Sequence, residues 1–357
     1  MKKILLIMAL SVMALSVMAL SVHAQPVKFY LSNYNSTNDE MHTWAWADET
    51  GALKETAIGD AAAILRNAIN YAVANGMPFS ADCRTYLVNG HQPFLILNSS
   101  VGFPPSVGMK FEFDNCLILS RPVDGGDAFI LDSSETMVLK FEGGEVLYRG
   151  YGCAFRLHPQ LSTTTDSFTG INLARIDFGQ VTVQPASPGD VTYGQPTPNA
   201  CGIEMDPSSG SFFGNVFTTG QADCKLNCAN TIRVKNPSST TVFRNNKFNG
   251  GMIASATQST IQIGEYIPGQ PLPTGIYGNI WEFGSIDPNV AGADGFNSWA
   301  NGDTLIAGSV GGNVQIWRTI VWEPGATNNA YRVGIFGPSN SGTTNGIVDA
   351  GTTNHQM

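Results

Sequence analysis

A six-residue pattern recurs along the second half of the chain, and it narrows the possible folds more than any other feature. Asn215-Val-Phe217-Thr-Thr-Gly220, Asn246-Lys-Phe248-Asn-Gly-Gly251 and Asn279-Ile-Trp281-Glu-Phe-Gly284 share the form Asn-x-aromatic-x-x-Gly. A looser version, a large apolar residue followed three places later by Gly, recurs at Phe141/Gly144, Ile176/Gly179 and Leu305/Gly308. A second element reads small, apolar, polar, apolar, polar. It occurs at Ala154-Phe-Arg-Leu-His158, Gly202-Ile-Glu-Met-Asp206, Thr231-Ile-Arg-Val-Lys235 and Thr260-Ile-Gln-Ile-Gly264, and Ala128-Phe-Ile-Leu-Asp132 fits the same frame. Its last three copies begin 29 residues apart.

Repeats of this length, built from short strands with frequent inserts, cannot bury their apolar positions singly and must stack. Stacking at the ~4.8 Å strand spacing turns inward side chains into columns. The expected fold is therefore all-β, a right-handed parallel β-helix with an N-terminal capping α-helix. Asn before the aromatic suits a turn, because Asn tolerates αL geometry and stacked amides form ladders. Gly marks a tight bend. A β-sandwich or barrel would want hairpin turns roughly every 8–12 residues, and few are present. Helical periodicity occurs once: Asp60 serves as N-cap to Ile64, Leu65, Ala68, Ile69 and Ala72, and Asn75-Gly76 ends the helix.

The run Gly59-Asp60-Ala-Ala-Ala-Ile64, through Ala68-Ile69 and Gly76 to Thr85-Tyr86-Leu87-Val88, resembles the N-terminal element of the pectate-lyase-like β-helix superfamily. That group includes polysaccharide lyases, glycoside hydrolases and tailspike-type depolymerases. The resemblance implies a helix that caps the coils and leads into a first strand. Here Cys83-Arg84-Thr85-Tyr86 stands where members more often carry Pro-x-Gly-x-Tyr. The likeness covers roughly residues 58–335 as architecture, and it specifies a fold rather than a reaction.

Only 13% of the 357 residues are charged, the net charge is -9, and no Lys/Arg cluster is available to neutralise a phosphate backbone. Nucleic acid is thereby excluded as a partner. Lys2 and Lys3 precede an uncharged run from Ile4 to Val22, and Val22-His23-Ala24 follows the pattern of a signal-peptide cleavage site. The expected organisation is a signal peptide over 1–24, an N-terminal segment with the capping helix and first strands over 25–106, the β-helix over 107–336 and a flexible tail over 337–357. The destination is secreted or periplasmic, and no segment after the cleavage point is apolar enough to span a membrane. Export would place all six cysteines, Cys83, Cys116, Cys153, Cys201, Cys224 and Cys228, in an oxidising compartment. They allow fifteen pairings, and the sequence selects none.

Stacked in the register of the second repeat, outward residues form two columns. One holds Ile130, Arg156, Glu204, Arg233 and Gln262, and the other Asp132, His158, Asp206, Lys235 and Gly264. Such a concentration of charge in a charge-poor chain marks a candidate polysaccharide groove. Arg156, Arg233 and Lys235 would hold a sugar carboxylate or sulfate, with Gln262 beside them. Asp132, His158, Glu204, Asp206 and Lys235 are the candidate proton carriers. Inverting hydrolysis wants two carboxyls ~6.5–9.5 Å apart, which Glu204 or Asp132 with Asp206 would supply. β-Elimination wants a cation on a uronate carboxylate and a base such as His158 or Lys235. The same alternation also describes a salt-bridge ladder.

Trp44, Trp46 and Trp299 are candidates for stacking on sugar rings, whereas Trp281 occupies an inward repeat position. His91 and His355 read as surface residues, and the inserts 184–199 and 266–274 as loops walling the solenoid. No metal ligand set is expected, and calcium is left open because no compact acidic cluster predicts it. The expected function is an exported enzyme cleaving a polysaccharide by β-elimination or hydrolysis. The rival is a non-catalytic β-helix adhesin or polysaccharide-binding protein.

Overall fold

Short alternating strands pair coil on coil, and each apolar position meets its counterpart in the next coil. The computed structural model describes residues 25–38, 40–83, 93–123, 126–159, 170–184, 200–225, 228–288, 292–311, 318–337 and 346–357. The expected signal peptide, His91, the 85–88 stretch and nearly all of the 184–199 insert lie outside them.

The coils pass through a nine-stranded parallel sheet and then a seventeen-stranded sheet, and six of them add a short strand of a six-stranded sheet between the two. Early coils give the last sheet two strands each, such as Val138–Glu142 and Glu145–Tyr148, whereas from Val216–Cys224 onward one strand runs through. The chain is a parallel β-helix. Aromatic columns fill its interior: Phe113 stacks on Phe141 at 4.4 Å and Phe129 on Phe155 at 5.2 Å. Trp281 is buried in the same core, as its repeat position implies.

At the N-terminal end, Val27–Asn33, Thr43–Ala47 and Leu53–Ile58 form an antiparallel meander, and the first of them pairs in parallel with Phe79–Asp82. The one α-helix among the described residues, α1 (Ala62–Asn75), packs on the meander and on Val101–Phe103, the end strand of the nine-stranded sheet. The N-cap is Ala61 rather than the expected Asp60, whose Oδ1 instead accepts the Ala62 N–H at 3.1 Å from one residue further out, and Gly76 closes the helix at φ 63°. Strand pairing also continues past residue 336: Ile347–Asp349 joins the nine-stranded sheet and His355–Gln356 the seventeen-stranded one.

The two fixed residues of the repeat have distinct physical causes. Asn215, Asn246, Asn279, Asp303, Asn329 and Asn354 form a ladder along the solenoid. Each of the first two passes its main-chain N–H and its Nδ2 to the Oδ1 of the next rung, as from Asn246 to Asn279 at 3.0 and 3.1 Å. The αL residue is the one before: Gly214, Asn245, Gly278, Gly302, Asn328 and Thr353 all have positive φ. The repeated Gly lies at the bend of the long sheet. A Cβ on Gly251, Gly284, Gly308 or Gly334 would fall 2.1, 2.8, 2.5 or 2.6 Å from the carbonyl oxygen of the preceding coil's glycine.

The ladder changes chemistry once. Trp281 replaces the Phe of the two preceding motifs, and its indole N–H needs an acceptor where an Asn rung would offer an NH2. Asp303 supplies it, with Oδ2 accepting Trp281 Nε1 at 2.8 Å and Oδ1 accepting from Asn279 N and Nδ2 at 2.8 and 3.0 Å. Burial pushes this carboxyl up to about 7, against the pull of those N–H donors.

Three disulfides staple the coils. Cys83–Cys116 and Cys153–Cys201 link neighbouring coils, and Cys224–Cys228 closes a tight loop. Among the described residues no helix is long and apolar enough to cross a membrane.

Asp303→Asn leaves a buried donor without an acceptor, so denaturant unfolding at pH 5 should show a loss of about 1–3 kcal/mol. The loss should shrink in a Trp281→Phe background. Because the folded-state carboxyl titrates above its ordinary 3.8, its contribution to stability falls as pH rises from about 4 to about 7, and that slope should vanish in the Asn variant. Gly251→Ala should cost about 1–3 kcal/mol by overpacking, read as a lowered urea midpoint.

Candidate ion-pair site on the nine-stranded sheet

The outer face of the nine-stranded sheet carries both expected columns in the expected register. Ile130 pairs with Arg156, Arg156 with Glu204, Glu204 with Arg233 and Arg233 with Gln262. Main-chain bonds just beyond these strands place Asp132, His158, Asp206, Lys235 and Gly264 in the second column, and Trp299 one rung further. Phe155, Leu157, Ile203, Met205, Ile232 and Val234 alternate with these residues and point into the core, which is what turns the polar set outward.

The site has two layers. Glu204 is fully buried, and Asp127 and Asp206 expose only 7% and 8% of their side chains. Above them lie Arg156, His158, Arg233 and Lys235, exposed by 32%, 29%, 14% and 32%. Arg156 Nε stands 2.9 Å from Glu204 Oε1 and 3.2 Å from Asp127 Oδ2, as charge contacts without hydrogen-bond alignment. Arg233 donates to Glu204 Oε2. Lys235 Nζ bridges Glu204 Oε1 at 3.3 Å and Asp206 Oδ2 at 3.1 Å, and His158 Nδ1 lies 3.5 Å from Asp206 Oδ2.

The acids differ in their proton affinities. Burial raises Asp127 above the usual carboxylate range, outweighing the Cys153 N–H and the Arg156 charge. Burial also works against ionised Asp206, but the Ser208 hydroxyl and N–H together with Lys235 outweigh it and hold this carboxyl low.

This geometry separates the expected residues by role. The gap between Glu204 and Asp206 is filled by the Lys235 ammonium, so the pair has no room for a sugar and a water. His158 stands between Asp132 and Asp206 in their column. Gln262 is engaged within the face, donating to Gly264 O at 2.5 Å and Asn297 Oδ1 at 3.3 Å. Trp44 and Trp46 do not reach this face. Thr43–Ala47 is covered on both sides, so Trp44 stacks on Phe29 and Trp46 packs against Tyr71 of α1. Trp299 is half-buried on the outer face.

Asp127 was not among the expected residues. It lies one position before the first residue of the repeat frame, so the frame itself excludes it. His355 is exposed, as expected.

No family model, curated protein or solved structure matches the chain. Function must be read from the site's own chemistry. Cys153, Cys201 and Glu204 have ligand atoms within 4.8 Å of one another, but the two sulfurs are joined in a disulfide and offer no thiolate. Two clefts, of about 500 and 310 Å³, open on the seventeen-stranded sheet rather than over the ion-pair cluster. Their acids are engaged: Glu142 with Lys140, Glu145 with Thr182 and Asp177 with the Gly179 N–H.

Glu204→Gln should destabilise the fold by about 3–5 kcal/mol, since it leaves three cations over an uncharged buried group. Lys235→Met, which removes one bridging cation but leaves Glu204 both of its arginines, should cost clearly less in the same urea titration. As pH falls below 3.8, the stability held by the depressed Asp206 should be lost, and Lys235→Met should flatten that acid limb.

Proposed function

We propose that the chain is an exported protein of the pectate-lyase-like β-helix superfamily that cleaves an anionic polysaccharide by β-elimination. The observation that carries this reading is the layering: Glu204, Asp127 and Asp206 are sequestered, and the groups above them are two guanidinium groups, an ammonium and an imidazole, with the half-buried Asp132 beside His158. A hydrolase wants an accessible pair of carboxyls with space between them. An elimination wants what lies on top.

In this mechanism Arg156 and Lys235 neutralise the uronate carboxylate, which acidifies the adjacent C5–H. His158 takes that proton. With Nδ1 turned toward Asp206, the Nε2 lone pair is the one presented to substrate. The C5–H electron pair becomes the C4–C5 double bond, the C4–O bond breaks, and the departing oxygen is protonated by solvent. Arg233 and Glu204 are positioning residues beneath the substrate. The three disulfides support an oxidising, secreted or periplasmic destination.

A binding-only role is favoured by one observation, that each Arg and Lys of the cluster already has a carboxylate partner. Incubation with a panel of uronate polymers separates the readings. β-Elimination predicts new absorbance near 235 nm, and His158→Ala should reduce its rate about a hundredfold or more. Reducing ends without that absorbance would replace elimination by hydrolysis, and binding without either product would make the chain a polysaccharide-binding protein.

A further inference from the structure

The column that carries His158, Asp206 and Lys235 does not end with its charges. Gly264 follows, then Trp299. At the ~4.8 Å spacing of parallel strands, Trp299 lies two rungs, or about 9.6 Å, beyond Lys235 along the solenoid. Gly264 leaves the intervening rung bare: a Cβ there would fall 3.2 Å from the Trp299 Cβ.

Tyr266 lies beside Trp299 with its ring only 21° from the indole plane and the centroids 6.2 Å apart. It is 55% exposed. Its position is held from below. Asn236 Nδ2 donates to Glu265 O at 2.8 Å and Asn236 Oδ1 accepts the Glu265 N–H at 2.9 Å, a two-bond clamp one residue before Tyr266. The loop beyond it contains Pro268, Pro271 and Pro273, which restrict its backbone. Two nearly parallel aromatic rings, Tyr266 exposed and Trp299 half-buried, on a clamped loop offer a surface for a ligand with an apolar face.

We infer that Trp299 and Tyr266 form a sugar-stacking subsite, and that the polysaccharide lies along the column from His158 to Trp299. This rests on the proposed action at the ion-pair cluster and adds a requirement for length. A short uronate oligomer meets only the cations, whereas a longer one also covers the rings.

The test is affinity against oligomer length, measured calorimetrically on the full mature chain with uronate oligomers of increasing size and with neutral glucans. Tyr266→Ala and Trp299→Ala should each weaken binding of long uronate oligomers about tenfold, equivalent to ~1.4 kcal/mol, and leave the shortest binding oligomer unaffected. Trp299→Phe should retain most of the long-oligomer affinity. Lys235→Ala should weaken both lengths. If the aromatic variants melt earlier yet bind long and short oligomers like the wild type, the rings only anchor the loop and the subsite is overturned while the cluster reading stands. If the wild type binds neutral glucans through Tyr266 without dependence on Lys235, the subsite stands and the cluster reading falls. Absence of binding to any polymer overturns both.

Discussion

Register between coils is the constraint on which this molecule depends. A parallel β-helix is held along its axis chiefly by coil-on-coil pairing, and a slip of one residue would send every side chain to the opposite face. Arg156, Glu204 and Arg233 would then enter the core and Phe155, Ile203 and Ile232 would leave it. The buried ladder removes that freedom. Asn215 and Asn246 each bind the following rung through a main-chain and a side-chain donor, and their Nδ2 groups also reach back to Ile171 O and Phe212 O. An amide one residue out of place would leave these groups buried without partners. Each group so stranded would cost about 1–3 kcal/mol.

Much of this was legible in the chain, because repeats report what is common to all coils. The outward columns, the capping helix and the inward place of Trp281 all came from the repeat frame or from periodicity. The αL position was less accessible: Asn245 and Asn246 both tolerate it, and only the backbone distinguishes the residue that turns from the residue that bonds. The Cys153–Cys201 disulfide was not selected by the sequence reading, although each cysteine directly precedes the first position of the frame. Trp44 and Trp46 were misleading for a different reason. Strict alternation implies a strand with one wet face, and a strand covered on both faces by elements distant in sequence leaves no local sign. The paired strands beyond residue 336 were hidden by a Gly, Ser and Thr-rich composition, which in a solenoid marks tight turns as readily as a loose end.

The layered charges deserve weighing against their energetics. Buried ion pairs rarely stabilise a protein more than apolar packing would, and the opposite faces of these strands show that packing was available. Their effect is electrostatic instead. In a chain of net charge -9, three acids held beneath three permanent cations cancel most of the local field at depth and leave positive charge at the outer edge. An anionic ligand would be attracted at short range without strong long-range pull, so its affinity should depend on fit more than on total charge.

The exchange of Asn for Asp at position 303 has a consequence for how such a solenoid can change length. An Asn rung bonded to an Asn rung is the same contact wherever it occurs, so whole coils could be duplicated or deleted there with every donor still matched. Between Trp281 and Asp303 the two sides of the joint differ, one offering an indole N–H and the other a second carboxylate oxygen. A coil inserted at that joint would strand both. The ladder is thus modular except at one seam, and the coils on either side of it must be inherited together.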